Sequence, residues 1–202
     1  MPGRFVIVSG NIATGKSTLA EILAPTLGVR YIPEPWDDNP FFESYYRDPS
    51  SWALQTQLHF QVGAAHAHAE IACHGEGGVQ DRGMYEMYYV FARQMHRDGY
   101  LRDDELELCA RLLHLCDDLL PAPDLLVYLE CPINEALRRS EARQRGGELL
   151  ASDMLQGLYD RYREYIAEWT RSPVVRVDSG TVDFRDANNA SVVMDSIVAA
   201  LR

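Results

Sequence analysis

No stretch of about 20 consecutive apolar residues occurs in the chain, so it carries no segment that could span a bilayer as one helix. The N-terminal MPGRFVIVSG lacks the apolar centre of a secretory leader and reads as a strand running into a loop. Paired cysteines are also missing. Cys73, Cys109, Cys116 and Cys131 form no C-x-x-C, and Cys109 and Cys116, seven apart, share one face of an expected helix. Buried thiols in a reducing compartment are therefore expected, not a disulfide frame or a metal knuckle. His59, His66 and His68 supply no zinc set, because His66 and His68, two apart, face different sides of a helix. Positive charge is scarce: 19 Lys and Arg against 30 Asp and Glu leave −11. That excludes duplex nucleic acid as a partner of the whole surface, while a local basic patch can still hold a small anion. Repeats, low-complexity tracts and linkers are absent. From these absences a soluble, cytoplasmic chain is expected, with no membrane and no nucleic-acid partner.

What is present fits one domain, residues 1–202, with 47% apolar and 24% charged residues and a core able to stand without cross-links. Short apolar runs expected as strands lie at 5–9, 29–32, 79–80, 124–130 and 174–177. Helices are expected at 16–27, 39–47, 51–73, 84–97, 103–119, 133–145, 152–170 and 187–201, with Gly28, Gly75 and Gly146-Gly147 as breaks. The alternation of strand and helix argues an α/β fold, a parallel sheet flanked by helices. Sites in such sheets lie beyond the carboxyl ends of the strands, and the polar clusters fall there.

The first cluster is GNIATGKS, residues 10–17, reading G-x-x-x-x-G-K-S between a strand and a helix. Gly10, Asn11, Ala13, Thr14, Gly15 and Thr18 supply a loop whose backbone N–H groups can cradle phosphate oxygens. The following helix adds positive potential at its start. Lys16 is expected on the β- and γ-phosphates and Ser17 on Mg²⁺. Glu34 follows the second strand, where a carboxylate can take a proton from an acceptor hydroxyl. Asp81 and Arg82 follow the third: Asp81 can hold Mg²⁺, and Arg82 can neutralise charge and orient Glu34. Arg138, Arg139, Arg143 and Arg145 precede Gly146-Gly147 as a basic lid. Arg139 and Arg143, four apart, present two guanidiniums that suit the charge developed in phosphoryl transfer. Gln57, Phe60 and Ala64 share one helix face, and a side-chain amide offers a donor and an acceptor to a nucleobase edge.

Taken in order, these residues resemble the deoxynucleoside kinase family over nearly the whole chain. The resemblance rests on Gly10–Ser17, Glu34-Pro35-Trp36, Tyr46-Arg47-Asp48-Pro49 with Trp52 and Gln57, Asp81-Arg82-Gly83, the Arg-rich lid with Glu148, and Asp178 with Asp183-Phe184. It implies a P-loop kinase fold with a five-stranded parallel sheet and a lid at about 139–151. It implies ATP as phosphate donor with Mg²⁺, and 5′-phosphorylation of a small-molecule deoxynucleoside as a nucleotide salvage step. Under it Glu34 is the general base, with Arg82, Lys16 and Arg143 in the catalytic set. Tyr46 and Glu148 hold the sugar 3′-hydroxyl, Gln57 reads the base, and Asp183 and Phe184 meet the adenine, with Arg139, Arg143 and Arg145 beside the nucleotide. The lid sequence GGELL departs from the commoner basic pattern. Ala64 and Met87 stand where relatives carry an arginine and an aspartate, so a base pocket with one polar reader and apolar walls at Phe60 and Met87 leans toward pyrimidines, while open space at Ala64 would admit the larger purine ring. The resemblance and the Tyr-rich helix 84–97 suggest a homodimer. The competing readings are a nucleoside monophosphate kinase of the same fold, which needs cations for an acceptor phosphate, and a non-catalytic switch or scaffold. A guanine switch would need an N-K-x-D loop, which is absent.

Overall fold

Every residue of Phe5–Gly10 (FVIVSG) is buried, as an apolar strand enclosed on both faces must be, and it forms the central strand β1. The computed structural model describes residues 3–34, 38–143 and 152–202, without the side chains of Arg143 and Ser152. In it β1 pairs in parallel with β3 (Gly78–Asp81) on one side and β4 (Leu125–Glu130) on the other. With β2 (Arg30–Ile32) and β5 (Val174–Asp178) the order is β2-β3-β1-β4-β5. The expected α/β architecture with a five-stranded parallel sheet is therefore observed.

The period of two along β1 divides the core. Val6 and Val8 face α1 (Lys16–Leu27) and α9 (Ala187–Ala200), meeting Leu19, Leu23, Val193 and Ile197. Phe5 and Ile7 face α3 (Pro49–His74) and α8 (Ser152–Glu168), meeting Ala64, Tyr85, Leu158 and Tyr162. Helix α2 (Phe42–Arg47) leads into α3, which starts on Pro49 with the Asp48 carboxylate accepting from Ser51 N–H. Helices α6 (Asp103–Leu119) and α7 (Ile133–Arg143) match the expected spans closely. Tyr165 and Trp169 pack edge to face with ring centres 5.6 Å apart, as their spacing of four suggests.

Two expectations change. The helix expected over 84–97 is α4 (Met84–Glu86), a π-helical stretch Met87–Ala92, and α5 (Arg93–Arg97). Widened turns of this kind occur often at functional sites. Its Tyr85, Met87, Val90 and Ala92 are buried in the core, while Tyr88, Tyr89 and Phe91 are half-buried. Among the described residues the large exposed apolar side chains are Leu108, Leu115 and Leu119, at spacings of seven and four on one side of α6, with Tyr46 on α2, Val62 on α3 and Val192 on α9. The thiols also divide. Cys109 and Cys131 are buried and Cys116 is half-buried, but Cys73 in the last turn of α3 is exposed.

His68 is fully buried within this core. Its ring meets Phe5 edge-on at 4.5 Å, its Nε2 lies 2.7 Å from the Pro121 carbonyl, and its Nδ1 has no partner. Burial holds its pKa below the ordinary 6.5. The unfolded chain therefore binds a proton that the folded one refuses, and this contribution to stability is whole above 6.5 and lost as pH falls below it. Melting temperatures from pH 7.5 to 5.5 are expected to fall less steeply in His68→Gln, which keeps a donor for Pro121 but cannot titrate. Parallel slopes in the two proteins would contradict this.

Candidate active site

The turn after β1 needs backbone that few residues adopt. Gly10, Ala13 and Gly15 all have positive φ, 147°, 62° and 93°. A Cβ on Gly10 would lie 2.7 Å from the Leu129 carbonyl, so only glycine fits that close approach. The Asn11 side-chain amide donates to the Leu155 carbonyl of α8 at 3.1 Å, and the Asn11 backbone carbonyl accepts from Thr14 Oγ1 and Lys16 Nζ, both at 2.9 Å. Lys16 is the only lysine of the chain and is buried. Burial first, and the Arg82 charge second, bring it down to about 8.

The register Val8↔Asp81 sets the end of β3 beside this loop. Ser17 Oγ donates to Asp81 Oδ2 at 2.6 Å, while Asp81 Oδ1 is buried with no partner. Burial pushes the Asp81 carboxyl up. A hydroxyl and an orphaned carboxylate oxygen side by side are the hard oxygen donors that Mg²⁺ prefers, so these two residues fit that ion.

Arg82 takes a left-handed φ of 66°, a strained conformation for a long side chain, and its amide donates to the Val8 carbonyl at 3.0 Å. Its guanidinium is held on three sides. Nε lies 2.7 Å from Glu34 Oε1 as an ion pair without an aligned hydrogen bond. Nη1 donates to Tyr162 Oη at 2.8 Å, and the head stands 4.6 Å from the centre of the Phe91 ring. Burial opposes the charge, but Glu34 and Glu86 keep the group protonated. Glu86 is fully buried and accepts from Ser9 Oγ at 2.7 Å, Tyr162 Oη at 2.9 Å and Gly83 N–H at 2.9 Å. Sequence reasoning missed Glu86, Tyr162 and Ser9. The available signal was one charge inside the apolar run MYEMYYVFA, residues 84–92.

A cavity of about 280 Å³ runs from Ala13 and Lys16 past Glu34 and Arg82 to Gln57, Phe60 and Met87. Tyr46 lines it, 4.8 Å ring to ring from Phe42. The Gln57 amide is buried and donates to the Met87 carbonyl at 2.7 Å, where the π-helical stretch begins. Ala64 does not line the cavity. It lies two turns, about 10.5 Å, further along α3 than Gln57, packs in the core, and gives its carbonyl to Gln80 Nε2 at 2.9 Å. The room expected at Ala64 is therefore not in the cavity.

A second cavity of about 470 Å³ lies behind the loop, lined by Gly15, Thr18, Arg139, Asp183 and Phe184 among others. Phe184 covers the loop so closely that a Cβ on Gly15 would be 3.2 Å from its ring. Arg139 donates to Glu135 at 2.7 Å and to the Ser179 carbonyl at 2.7 Å, so it faces this cavity and not the first. Arg138 and Arg139 together hold Glu135 down to about 2. The Asp183 carboxylate pairs with Arg185. Arg145 and Glu148, and the side chain of Arg143, lie outside the described residues.

Residues 6–201 match the family described as "Deoxynucleoside kinase". The chain is 31% identical over 201 residues to a deoxyadenosine/deoxycytidine kinase of Bacillus subtilis, covering 97% of this chain and 92% of that protein. It is 32% identical over 209 residues to a deoxyguanosine kinase of Lactobacillus acidophilus, covering 98% and 90%. A deoxyadenosine kinase of Dictyostelium discoideum is 31% identical over 180 residues, covering 88% and 73%. In structure it is similar to a deoxyadenosine kinase from M. mycoides solved with dATP, with a TM-score of 0.81 at 21% identity, covering 96% of this chain and 98% of that one. These relatives are phosphotransferases.

A phosphate chain in the loop stabilises charged Lys16 and so raises its pKa from about 8. At pH 8.5 binding of tripolyphosphate is expected to draw most of a proton from the buffer, and less as pH falls toward 7. Calorimetric heats should then differ between two buffers of unlike ionisation enthalpy at pH 8.5. Equal heats would contradict the buried, part-neutral amine.

Proposed function

The chain belongs to the deoxynucleoside kinase family, and on that premise we propose that it transfers the γ-phosphoryl group of ATP to the 5′-hydroxyl of a 2′-deoxyribonucleoside, a nucleotide salvage step in the cytoplasm. One observation carries the reading. The Glu34 carboxylate is only partly buried, opens on the cavity between the phosphate loop and Gln57, and is held through one oxygen by Arg82. Glu34 takes the 5′-hydroxyl proton as phosphoryl transfer proceeds, with Oε2 the oxygen left to accept it. Arg82 orients that carboxylate and adds positive charge beside the transferred group. Lys16 meets the β- and γ-phosphates, and the loop amides of residues 10–18 cradle them. Ser17 and Asp81 would hold Mg²⁺, which when bound neutralises phosphate charge.

At the acceptor end Gln57 reads the base edge between Phe60 and Met87, and Tyr46 with Glu148 holds the 3′-hydroxyl. The ATP adenine occupies the second cavity against Phe184, with Asp183 and Arg139 beside it. Arg143 and Arg145 approach the phosphates from a lid at about 139–151 of the single domain 1–202. The cations that line the first cavity, Lys16 and Arg82, stand at its phosphate end among the described residues. That argues against an acceptor monophosphate and so against the monophosphate-kinase alternative. With Ala64 in the core, the room that would admit a purine on that side is not in the cavity, while Phe60 and Met87 line it, and the proposed acceptor is a deoxyribonucleoside with pyrimidines ahead of purines.

The test is steady-state kinetics with ATP, Mg²⁺ and the four natural deoxynucleosides. Glu34→Gln is expected to lower kcat on the order of 10²-fold or more, with a smaller change in nucleoside KM. Near-normal turnover would remove Glu34 from the base role.

A second copy of the chain is the proposed partner. Support for a homodimer comes from the half-buried Tyr88 and Tyr89 of the stretch 84–97 together with the exposed Leu108, Leu115 and Leu119 of α6. Among the described residues no helix is long and apolar enough to cross a membrane, which leaves a lipid-spanning role for this face unsupported. Light scattering at micromolar concentration should give twice the chain mass, and Leu115→Glu should halve it. A wild-type monomer would overturn the proposal.

A further inference from the structure

Glu86 is a fully buried carboxylate that lines neither of the two cavities described, yet it is wired to the group beside the proposed base. The wiring runs through one hydroxyl. Arg82 Nη1 donates to Tyr162 Oη at 2.8 Å, so the hydroxyl oxygen is the acceptor there. Its own proton must then point elsewhere, and it points to Glu86 Oε2 at 2.9 Å. Ser9 Oγ reaches the same oxygen at 2.7 Å, and Gly83 N–H fills Oε1 at 2.9 Å. Glu86 works here as an acceptor only.

We propose that Glu86 is a positioning residue for the phosphoryl transfer: it fixes the Tyr162 hydroxyl rotor so that its lone pair faces Arg82, and thereby sets the Arg82 guanidinium against Glu34. A hydroxyl can turn, and without a strong acceptor behind it its proton is free to swing toward the guanidinium. That swing would replace an attractive contact with a repulsive one among buried groups, where the low dielectric strengthens both. The same carboxylate ties three elements at one point: β1 through Ser9, the turn after β3 through Gly83, and α8 through Tyr162. Helix α8 also meets the phosphate loop, where Asn11 donates to Leu155. The geometry of Arg82, which already sits on strained backbone, is thus set by contacts behind the site as well as within it.

The inference rests on the proposed roles of Glu34 and Arg82. Tyr162→Phe removes one oxygen and keeps the ring packing against Tyr128 and Phe91, so it tests the relay without emptying the core. It should lower kcat by about tenfold or more while nucleoside KM and melting temperature change little. Glu86→Gln should lower kcat to a similar extent, and the double variant should be no slower than the slower single one, because both act through one hydroxyl. In an Arg82→Lys background Tyr162→Phe should have no further effect. A Tyr162→Phe protein with kcat within twofold of wild type overturns the proposal, and so do losses that multiply in the double variant. If Tyr162→Phe is neutral while Glu34→Gln collapses kcat, the relay alone fails. If Glu34→Gln is also neutral, the reading of the site itself fails.

Discussion

The parallel register of β1 on β3, with Val8 opposite Asp81, is the constraint on which the site depends. It sets the ends of two strands side by side, so the phosphate loop leaves one and Asp81-Arg82 leaves the other at the same edge of the sheet. The amide of Arg82 then closes on the Val8 carbonyl, and the left-handed turn at Arg82 throws its side chain across to Glu34 at the end of β2. A slip of one residue would turn Asp81 away from Ser17 and leave both without their partner. The burial of all six β1 residues resists that slip, because their alternate side chains fill two different cores.

Around that edge two cations, Lys16 and Arg82, stand among three carboxylates, Glu34, Asp81 and Glu86, and all but Glu34 are buried. In so little solvent each charge is tolerated only with its partners in place, and removing one member of a buried pair typically costs about 3–5 kcal/mol. The cluster is therefore better understood as preorganised than as stabilising. Charges fixed in position by the fold need not be reoriented when a phosphoryl group moves between them.

The parts of this arrangement that the sequence makes legible are those fixed locally. G-x-x-x-x-G-K-S forces its own loop, and Glu34, Asp81 and Arg82 each lie at or just past the end of a strand, so topology alone brings them to one edge. The sheet and most helix spans follow from periodicity and from Gly breaks in the same way. What was not legible depends on distance through space. Glu86 has its meaning from Tyr162, 76 positions away, and a charge in an apolar run gives no hint of its partner. Ala64 shares a face with Gln57, but a shared face does not say where along α3 the cavity ends. The π-helical stretch is set by how the 84–97 segment packs and by the Gln57 amide at its first carbonyl, and nothing in MYEMYYVFA announces it.

Lys16 stands alone in another sense. Eighteen arginines carry the rest of the positive charge, so the phosphate-loop amine is the one primary amine on any side chain. Because burial holds it near 8, a fraction is unprotonated and nucleophilic in mildly alkaline solution. Acylating chemistry aimed at amines, whether a reagent or a cellular thioester, therefore has one side-chain address on this chain, the bottom of the phosphate loop, which is sheltered whenever a ligand covers it. Mass spectrometry of a single peptide would thus report occupancy of the loop, with no background from surface lysines to subtract.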